Sequence, residues 1–262
     1  MAYTPIINGD TGLAARGIIN GIGASSDLHI SKSGSDVHNL GTMATQNSNN
    51  VNITGGSLVG QYAKFGTNTD HTLFEEDGSM VFSGSATVWK DELGDVTKLK
   101  ESGTGITESN TESAVGFETG MSYTSDYLYT NIQLNHDRKL SALIYPHIHF
   151  SQTTSSFPNF IALYRWQVNG QPKVTDWTPI PTTGGAFSYT SGTLNQIALF
   201  APLTPPALSD VSDVLQFRIS RDKTNSSGLF AGQDTLNTTV YLTSFDVHYE
   251  VDTVGSRKEY VK

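Results

Sequence analysis

Apolar and polar side chains alternate over residues 239–251, and this pattern constrains the fold of the 262-residue chain more than any other feature. A period of two is typical of a β-strand with one buried and one exposed face. Similar alternation occurs at residues 143–150, 160–168 and 215–219. Because Gly, Pro and Ser turns separate these segments and a helical period is almost missing, they predict an antiparallel, jelly-roll-like β-sandwich over residues 101–262.

The alternation also predicts which side chains enter the core. In residues 239–251 one face should carry Tyr241, Phe245, Val247, Tyr249 and Val251. The opposite face then carries Asp246, His248 and Glu250. In the other segments the predicted core residues are Ile144, Ile148, Phe150, Phe160, Ala162, Tyr164, Trp166, Val168, Leu215, Phe217 and Ile219.

Composition narrows the function classes. Charged residues make up only 16% of the chain, against a typical value of about 25%, so uncharged polar residues must cover much of the surface, as in β-rich fibres and sandwiches. A net charge of -9 disfavours nucleic-acid binding. The lack of cysteine excludes disulfides, thiolate metal sites and cysteine nucleophiles. No apolar run of about 18 residues occurs, and residues 1–10 lack a secretory pattern, so we expect neither membrane insertion nor secretion.

Two regions precede the predicted sandwich. Residues 1–40 include a short predicted helix that begins near Asp10 and ends before Gly21. Residues 41–100 begin with an Asn- and Gly-rich stretch whose few apolar anchors are Val51, Ile53 and Leu58. A lone chain of this composition buries too little apolar surface to offset its ordering entropy, so we expect other copies to cover it. Predicted strands at 73–74, 80–82 and 86–89 follow, the first two joined by an Asp-Gly turn.

Several segments resemble proteins of bacteriophage particles. Residues 41–46 (Gly-Thr-Met-Ala-Thr-Gln) and 50–56 (Asn-Val-Asn-Ile-Thr-Gly-Gly) resemble the linker after the anchoring end of phage tail-fibre and head-fibre proteins. Residues 9–16 and 19–20 resemble the N-termini of such fibres. The C-terminal half resembles a family of uncharacterised phage particle proteins at residues 86–91, 146–150 and 245–257.

The resemblance implies a non-enzymatic structural protein of the virion, made in the host cytoplasm. It implies a homotrimeric tail, neck or head fibre that displays the sandwich for host attachment, with a surface glycan as one candidate receptor. The anchoring region, residues 1–40, would contact capsid, portal or tail proteins through Leu13, Arg16, Ile18 and Ile19. Residues 41–100 would form the stalk and hairpins, with Val51, Ile53 and Leu58 packed in the stalk. The alternative is a capsid decoration or cement protein, and a glycan-processing tailspike enzyme has the least support.

One pair of histidines could bind a metal. His147 and His149 are two residues apart on a predicted strand, so their rings project from the same side. No Asp or Glu lies close enough in sequence to complete a site within one chain. We therefore expect metal binding only if three such pairs meet on a threefold axis; otherwise the two rings form hydrogen bonds on a polar sheet face. His248, between Asp246 and Glu250, is interpreted as part of a solvated row rather than as an acid–base group.

No catalytic residue or cofactor is predicted. The chain lacks the GxSxG and P-loop patterns, and its acidic cluster at residues 75–77 is interpreted as a solvated hairpin tip. Most aromatic residues should belong to the core, since a sandwich needs large side chains between its sheets. Phe157 and Trp177 border Pro-containing loops and are the predicted receptor-binding residues.

Overall fold

A computed structural model describes residues 29–32, 36–39, 63–75, 79–95, 105–109, 114–119, 121–185 and 192–256. The chain divides into two compact units, residues 1–59 and 60–262. In the first unit, β1 (His29–Lys32) and β2 (Asp36–Asn39) pair as an antiparallel hairpin. The predicted helix near residue 10, the anchoring residues Leu13, Arg16, Ile18 and Ile19 and the stalk residues Val51, Ile53 and Leu58 lie outside the described residues and stay predictions.

The described part of the second unit is built from antiparallel strands. No α-helix lies in the described ranges, and a single 3-10 turn spans Gly84–Ala86. Within those ranges, no helix is long and apolar enough to cross a membrane. The strands are β3 (Ala63–Gly66), β4 (His71–Phe74), β5 (Met80–Ser83), β6 (Val88–Gly94), β7 (Ile106–Ser109), β8 (Ala114–Phe117), β9 (Leu128–Gln133), β10 (Tyr145–Gln152), β11 (Phe160–Gln167), β12 (Thr178–Gly185), β13 (Gly192–Phe200), β14 (Val214–Arg221) and β15 (Val240–Val251).

In the second unit β3, β4 and β5 form a small three-stranded sheet, and a larger sheet folds over on itself to form two layers. In the first layer the neighbouring strands are β6, β15, β10 and β13, with β8 pairing to the N-terminal end of β15 and β7 to β8. In the second layer they are β12, β11, β14 and β9. The strand β12 joins the layers, because its first half pairs with β11 and its second half with β13. The predicted antiparallel β-sandwich is thus confirmed in its coarse form, and it also includes β6, which lies before residue 101.

Aromatic and aliphatic side chains from both layers fill the space between them. The rings of Phe245 on β15 and Phe217 on β14 have centroids 4.7 Å apart, and those of Phe150 on β10 and Phe160 on β11 are 5.0 Å apart. These four residues are fully buried. The predicted core residues Ile144, Ile148, Leu215 and Ile219 are fully buried with them, as period-two burial requires.

The curl of the sheet brings β6 of the first layer close to β9 of the second. A Cβ atom added to Gly94 on β6 would lie 2.7 Å from the Thr130 hydroxyl on β9. Asn135, just after β9, donates a hydrogen bond to the Glu92 carboxylate on β6. The sheet therefore forms a curled half-barrel around the core.

The predicted face of Tyr241 is wrong. Two residues of β10, His149 and Phe150, pair with Ser244 and Leu242, so Thr243 is an extra residue that forms a β-bulge in β15. The bulge reverses the alternation, so that Leu242 is fully buried on the same side as Phe245. Tyr241 lies on the opposite side and is only half-buried.

Candidate functional site

Three histidines and two aspartates gather on the outer surface of the first layer, which we call the histidine face. It consists of His147 and His149 on β10, Asp246 and His248 on β15, and Asp91 on β6. Register places His147 opposite Asp246, and His248 opposite Asp91. Directly opposed residues of antiparallel strands share a face, so all five side chains project away from the core.

Within this face, His147, His149 and Asp246 are arranged as metal ligands could be. His147 Nε2 lies 2.6 Å from Asp246 Oδ1, and His149 Nε2 lies 3.6 Å from Asp246 Oδ2. One ligand atom from each residue can be chosen so that all three lie within 4.8 Å of one another. His147 is 3% exposed and Asp246 8%, so neighbouring side chains remove both from water although they are on an outer surface.

The electrostatics of the site keep Asp246 ionised. Burial by itself raises the pKa of its carboxyl group, but the contacts with His147 and His149 outweigh burial and lower the pKa to about 2. Near neutral pH the site therefore presents a carboxylate beside two imidazole groups.

His248 has a different carboxylate partner from those that its sequence neighbours suggest. Its Nε2 lies 2.5 Å from Asp91 Oδ1, and its ring centroid is 4.2 Å from that of His147. Burial, followed by the proximity of His147, lowers the pKa of His248, while Asp91 acts in the opposite direction. Glu250, which flanks His248 in sequence, pairs with Lys139 at 2.6 Å instead.

Large apolar side chains surround the polar centre of the histidine face. Trp89 and Leu93 on β6 are 58% and 63% exposed, and Tyr145 and Leu199 are 37% and 40% exposed. The Trp89 and Tyr145 rings meet edge to face with centroids 5.4 Å apart. Exposed apolar side chains that cluster in this way are typical of protein interaction surfaces.

The structure corrects the expectation that one chain lacks a carboxylate for the two histidines. Asp246 lies far from His147 in sequence, and the pairing of β10 with β15 brings them together. The polar alternation at residues 246–250 predicts that Asp246 lies on an outer face. It does not predict which strand pairs with β15 or in what register, so it cannot place Asp246 beside His147. The pairing of Asp91 with His248 likewise depends on strand register and has no signal in the local pattern.

The two predicted receptor-binding residues lie in separate places. Phe157 lines a surface cavity of about 410 Å³ together with Asn159, Thr182, Leu229 and Phe230. The cavity is large enough for a small ligand, which is compatible with a binding role for Phe157. That role stays a prediction.

Trp177 is half-buried beneath two arginines. The guanidinium carbons of Arg165 and Arg218 each lie 4.3 Å from the centroid of its ring system. Such cation–π contacts use the ring face that a sugar would need for stacking. A receptor role for Trp177 therefore stays a prediction that requires these arginines to move or to share in binding.

Comparison with protein-family models found none that matches the chain, and a search of curated proteins found no match either.

Proposed function

We propose that the chain is a non-enzymatic structural protein of a bacteriophage virion, a fibre-type appendage that assembles as a homotrimer and displays its β-sandwich for attachment to the host surface. The proposal combines the resemblance of several sequence segments to phage particle proteins with the surface on which three of those segments lie. The anchoring and stalk roles of the N-terminal regions are part of the same proposal.

One observation carries the proposal. Three segments of the C-terminal half resemble phage particle proteins, and they are distant in sequence, at residues 86–91, 146–150 and 245–257. In the fold their described residues contribute to three neighbouring strands, because β15 pairs with β10 on one side and with β6 on the other. Together these strands carry the histidine face and most of its apolar surroundings. The segments that resemble phage particle proteins therefore lie on one surface.

The strand order also supports a role in a virus particle. The sequence of neighbours β6-β15-β10-β13 in one layer and β9-β14-β11-β12 in the other matches that of an eight-stranded jelly roll. Jelly rolls are used in viral capsid proteins and in lectins, and both uses suit a displayed virion module. Fold alone does not determine function, so this support is by analogy.

Copy number in the particle is the measurement that tests the proposal. Quantitative mass spectrometry of purified virions should find a few tens of copies or fewer, as expected of an appendage. The purified protein should have a mass of about three times the chain mass of 28.3 kDa in light scattering. Hundreds of copies per virion would contradict the fibre proposal and support a capsid decoration protein instead.

A paired variant tests whether the exposed apolar surface takes part in assembly. Leu93→Ser changes a 63% exposed residue of this surface and should reduce trimer formation or incorporation into particles. Leu208→Ser is a matched control, because Leu208 is 66% exposed but lies in the loop between β13 and β14. Equal incorporation of both variants would show that this surface has no part in assembly.

A further inference from the structure

We propose that His147, His149 and Asp246 of a single chain bind one divalent first-row transition ion, with zinc as the probe of the site. Two imidazoles and one carboxylate on the same side of an ion form a ligand set found in catalytic zinc sites and in non-haem iron sites. Calcium and magnesium are disfavoured, because both take oxygen ligands almost entirely. The inference is independent of the proposed role in the virion.

The three side chains are near enough to one another to close around such an ion. Around a tetrahedral zinc ion, bonds of about 2.0–2.2 Å place ligand atoms about 3.3–3.6 Å apart. His149 Nε2 and Asp246 Oδ2 are 3.6 Å apart, which is near this value. His147 Nε2 and Asp246 Oδ1 are 2.6 Å apart and must separate by less than about 1 Å to admit the ion. His147 and His149 share a strand, and Asp246 lies opposite His147, so the strand pairing holds the three backbone positions close together.

A second observation points to an ion independently. Asp246 Oδ1 is buried and accepts no well-aligned hydrogen bond, although His147 Nε2 is only 2.6 Å away. A buried carboxylate oxygen without an aligned partner is costly, and buried polar atoms of this kind are rare in folded proteins. A cation held between the nitrogen and the oxygen would give both atoms a partner.

Neighbouring groups orient the ligands and leave some coordination positions of the ion open. The Nδ1 atom of His149 lies 3.1 Å from the Asn195 amide nitrogen. A His149 that binds the ion through Nε2 carries its proton on Nδ1, and a half-turn of the Asn195 amide would present its oxygen to accept that hydrogen bond. Hydrogen bonds of this kind position metal-binding histidines in many proteins. The His149 side chain is 22% exposed, which gives an ion a route from solvent and leaves its remaining coordination positions open to water or a partner group.

Stoichiometry separates this site from one on a symmetry axis. A site within one chain takes one ion per chain. A site in which histidine pairs from three chains meet on a threefold axis takes one ion per three chains. The two arrangements therefore differ threefold in the metal content of the saturated protein.

The test uses the full chain, stripped of metal with EDTA and dialysed. Titration with Zn²⁺ followed by calorimetry and elemental analysis should give one ion per chain, and Co²⁺ should produce a visible absorption band that Zn²⁺ displaces. His149→Ala and Asp246→Asn should each weaken Zn²⁺ binding by about 100-fold or more, since losing a second-shell partner alone costs about 10- to 100-fold. His136→Ala is the matched control, because the His136 ring bonds to Ser212 and Ser256 instead.

The controls keep the result interpretable. The circular dichroism spectrum and melting temperature of each variant in EDTA verify that it folds, and His149→Ala decides the matter if the more buried Asp246 does not tolerate change. The proposal is overturned by less than about a tenth of an ion per chain, by one ion per three chains, or by equal Zn²⁺ affinity in wild type and His149→Ala.

Discussion

Asp222 directly follows β14, and its buried side chain organises the turn that leaves the strand. Its carboxylate accepts hydrogen bonds from the Ser226 backbone and hydroxyl groups at 2.8 and 3.0 Å, and from the Ser227 amide at 2.9 Å. Burial raises the pKa of Asp222, but the hydrogen bonds from Ser227 and Ser226 outweigh it, and the pKa lies below its usual value of 3.8. The folded state therefore holds this group in its ionised form more strongly than the unfolded chain does.

We expect Asp222→Asn to lower the free energy of unfolding by about 2 kcal/mol near pH 7, because hydrogen bonds to a charged acceptor are among the stronger ones. A lowered folded pKa stabilises above the unfolded pKa, and this contribution is lost as the pH falls through the folded pKa. The difference between wild type and variant should thus shrink below about pH 4. Urea unfolding across that range measures it, with Asp176→Asn on an exposed loop as control. A difference that does not change with pH would contradict the assigned role.

At the scale of the strand, the bulge at Thr243 decides which side chains of β15 enter the core. On its N-terminal side Val240 and Leu242 are fully buried, and on its C-terminal side Phe245 and Val247 are fully buried. Without the extra residue, one of these two rows would face outward. The bulge is therefore needed for β15 to contribute to the core along its whole length.

Deletion of Thr243 should prevent folding. Exposing the shorter row would cost about 1.5–3 kcal/mol for each of two side chains, a large part of the stability of an ordinary domain. Thr243→Ala keeps the bulge and changes an exposed side chain, so its effect should stay within about 0.5 kcal/mol. Soluble yield and thermal unfolding of the two variants compare them. A deletion variant that melts like Thr243→Ala would show that the strand can shift register without loss.

At the scale of the whole sandwich, Arg221 connects the two layers through a buried network. It ends β14 in the second layer, and its side chain donates hydrogen bonds to the Phe117, Leu236 and Thr238 carbonyl groups at the edge of the first layer. Its Nε atom lies 2.6 Å from Asp234 Oδ2, and both side chains are fully buried. Because this charge pair is removed from water, loss of one member leaves the other buried without its counter-ion.

Arg221→Met should lower the free energy of unfolding by about 3–5 kcal/mol, since the Asp234 carboxylate would be left buried without its counter-ion. Adding Asp234→Asn to that variant should recover part of the loss, because a neutral amide is less costly to bury than a charge. Guanidinium unfolding of the single and double variants measures the coupling, with Lys173→Met on an exposed loop as control. Additive effects of the two changes would show that the pair does not act as a unit.

Local patterns predicted the coarse fold because period-two burial is a local property. Ile144, Ile148 and Phe150 are buried as the alternation in their segment indicates, and Leu215, Phe217 and Ile219 likewise. The prediction for Tyr241 was wrong because a bulge inserts one residue without a recognisable sequence signal.

The sequence predicted the histidines of the candidate site but not their carboxylate partners. The two histidines were visible from their spacing, because both lie on one strand. The partners of His147 and His248, Asp246 and Asp91, depend on which strands pair and in what register, and no segment read by itself contains that information. Roles assigned to residues 1–28 and 40–62 are still predictions.

The strand β12 begins in one layer and ends in the other, pairing first with β11 and then with β13. The layers are therefore tied by a continuous backbone as well as by the packing between them. A shear force can displace one layer relative to the other only if hydrogen bonds along β12 break. The two layers should therefore resist mechanical load as a single unit. The stiffness of this unit would come from backbone hydrogen bonds as much as from core packing.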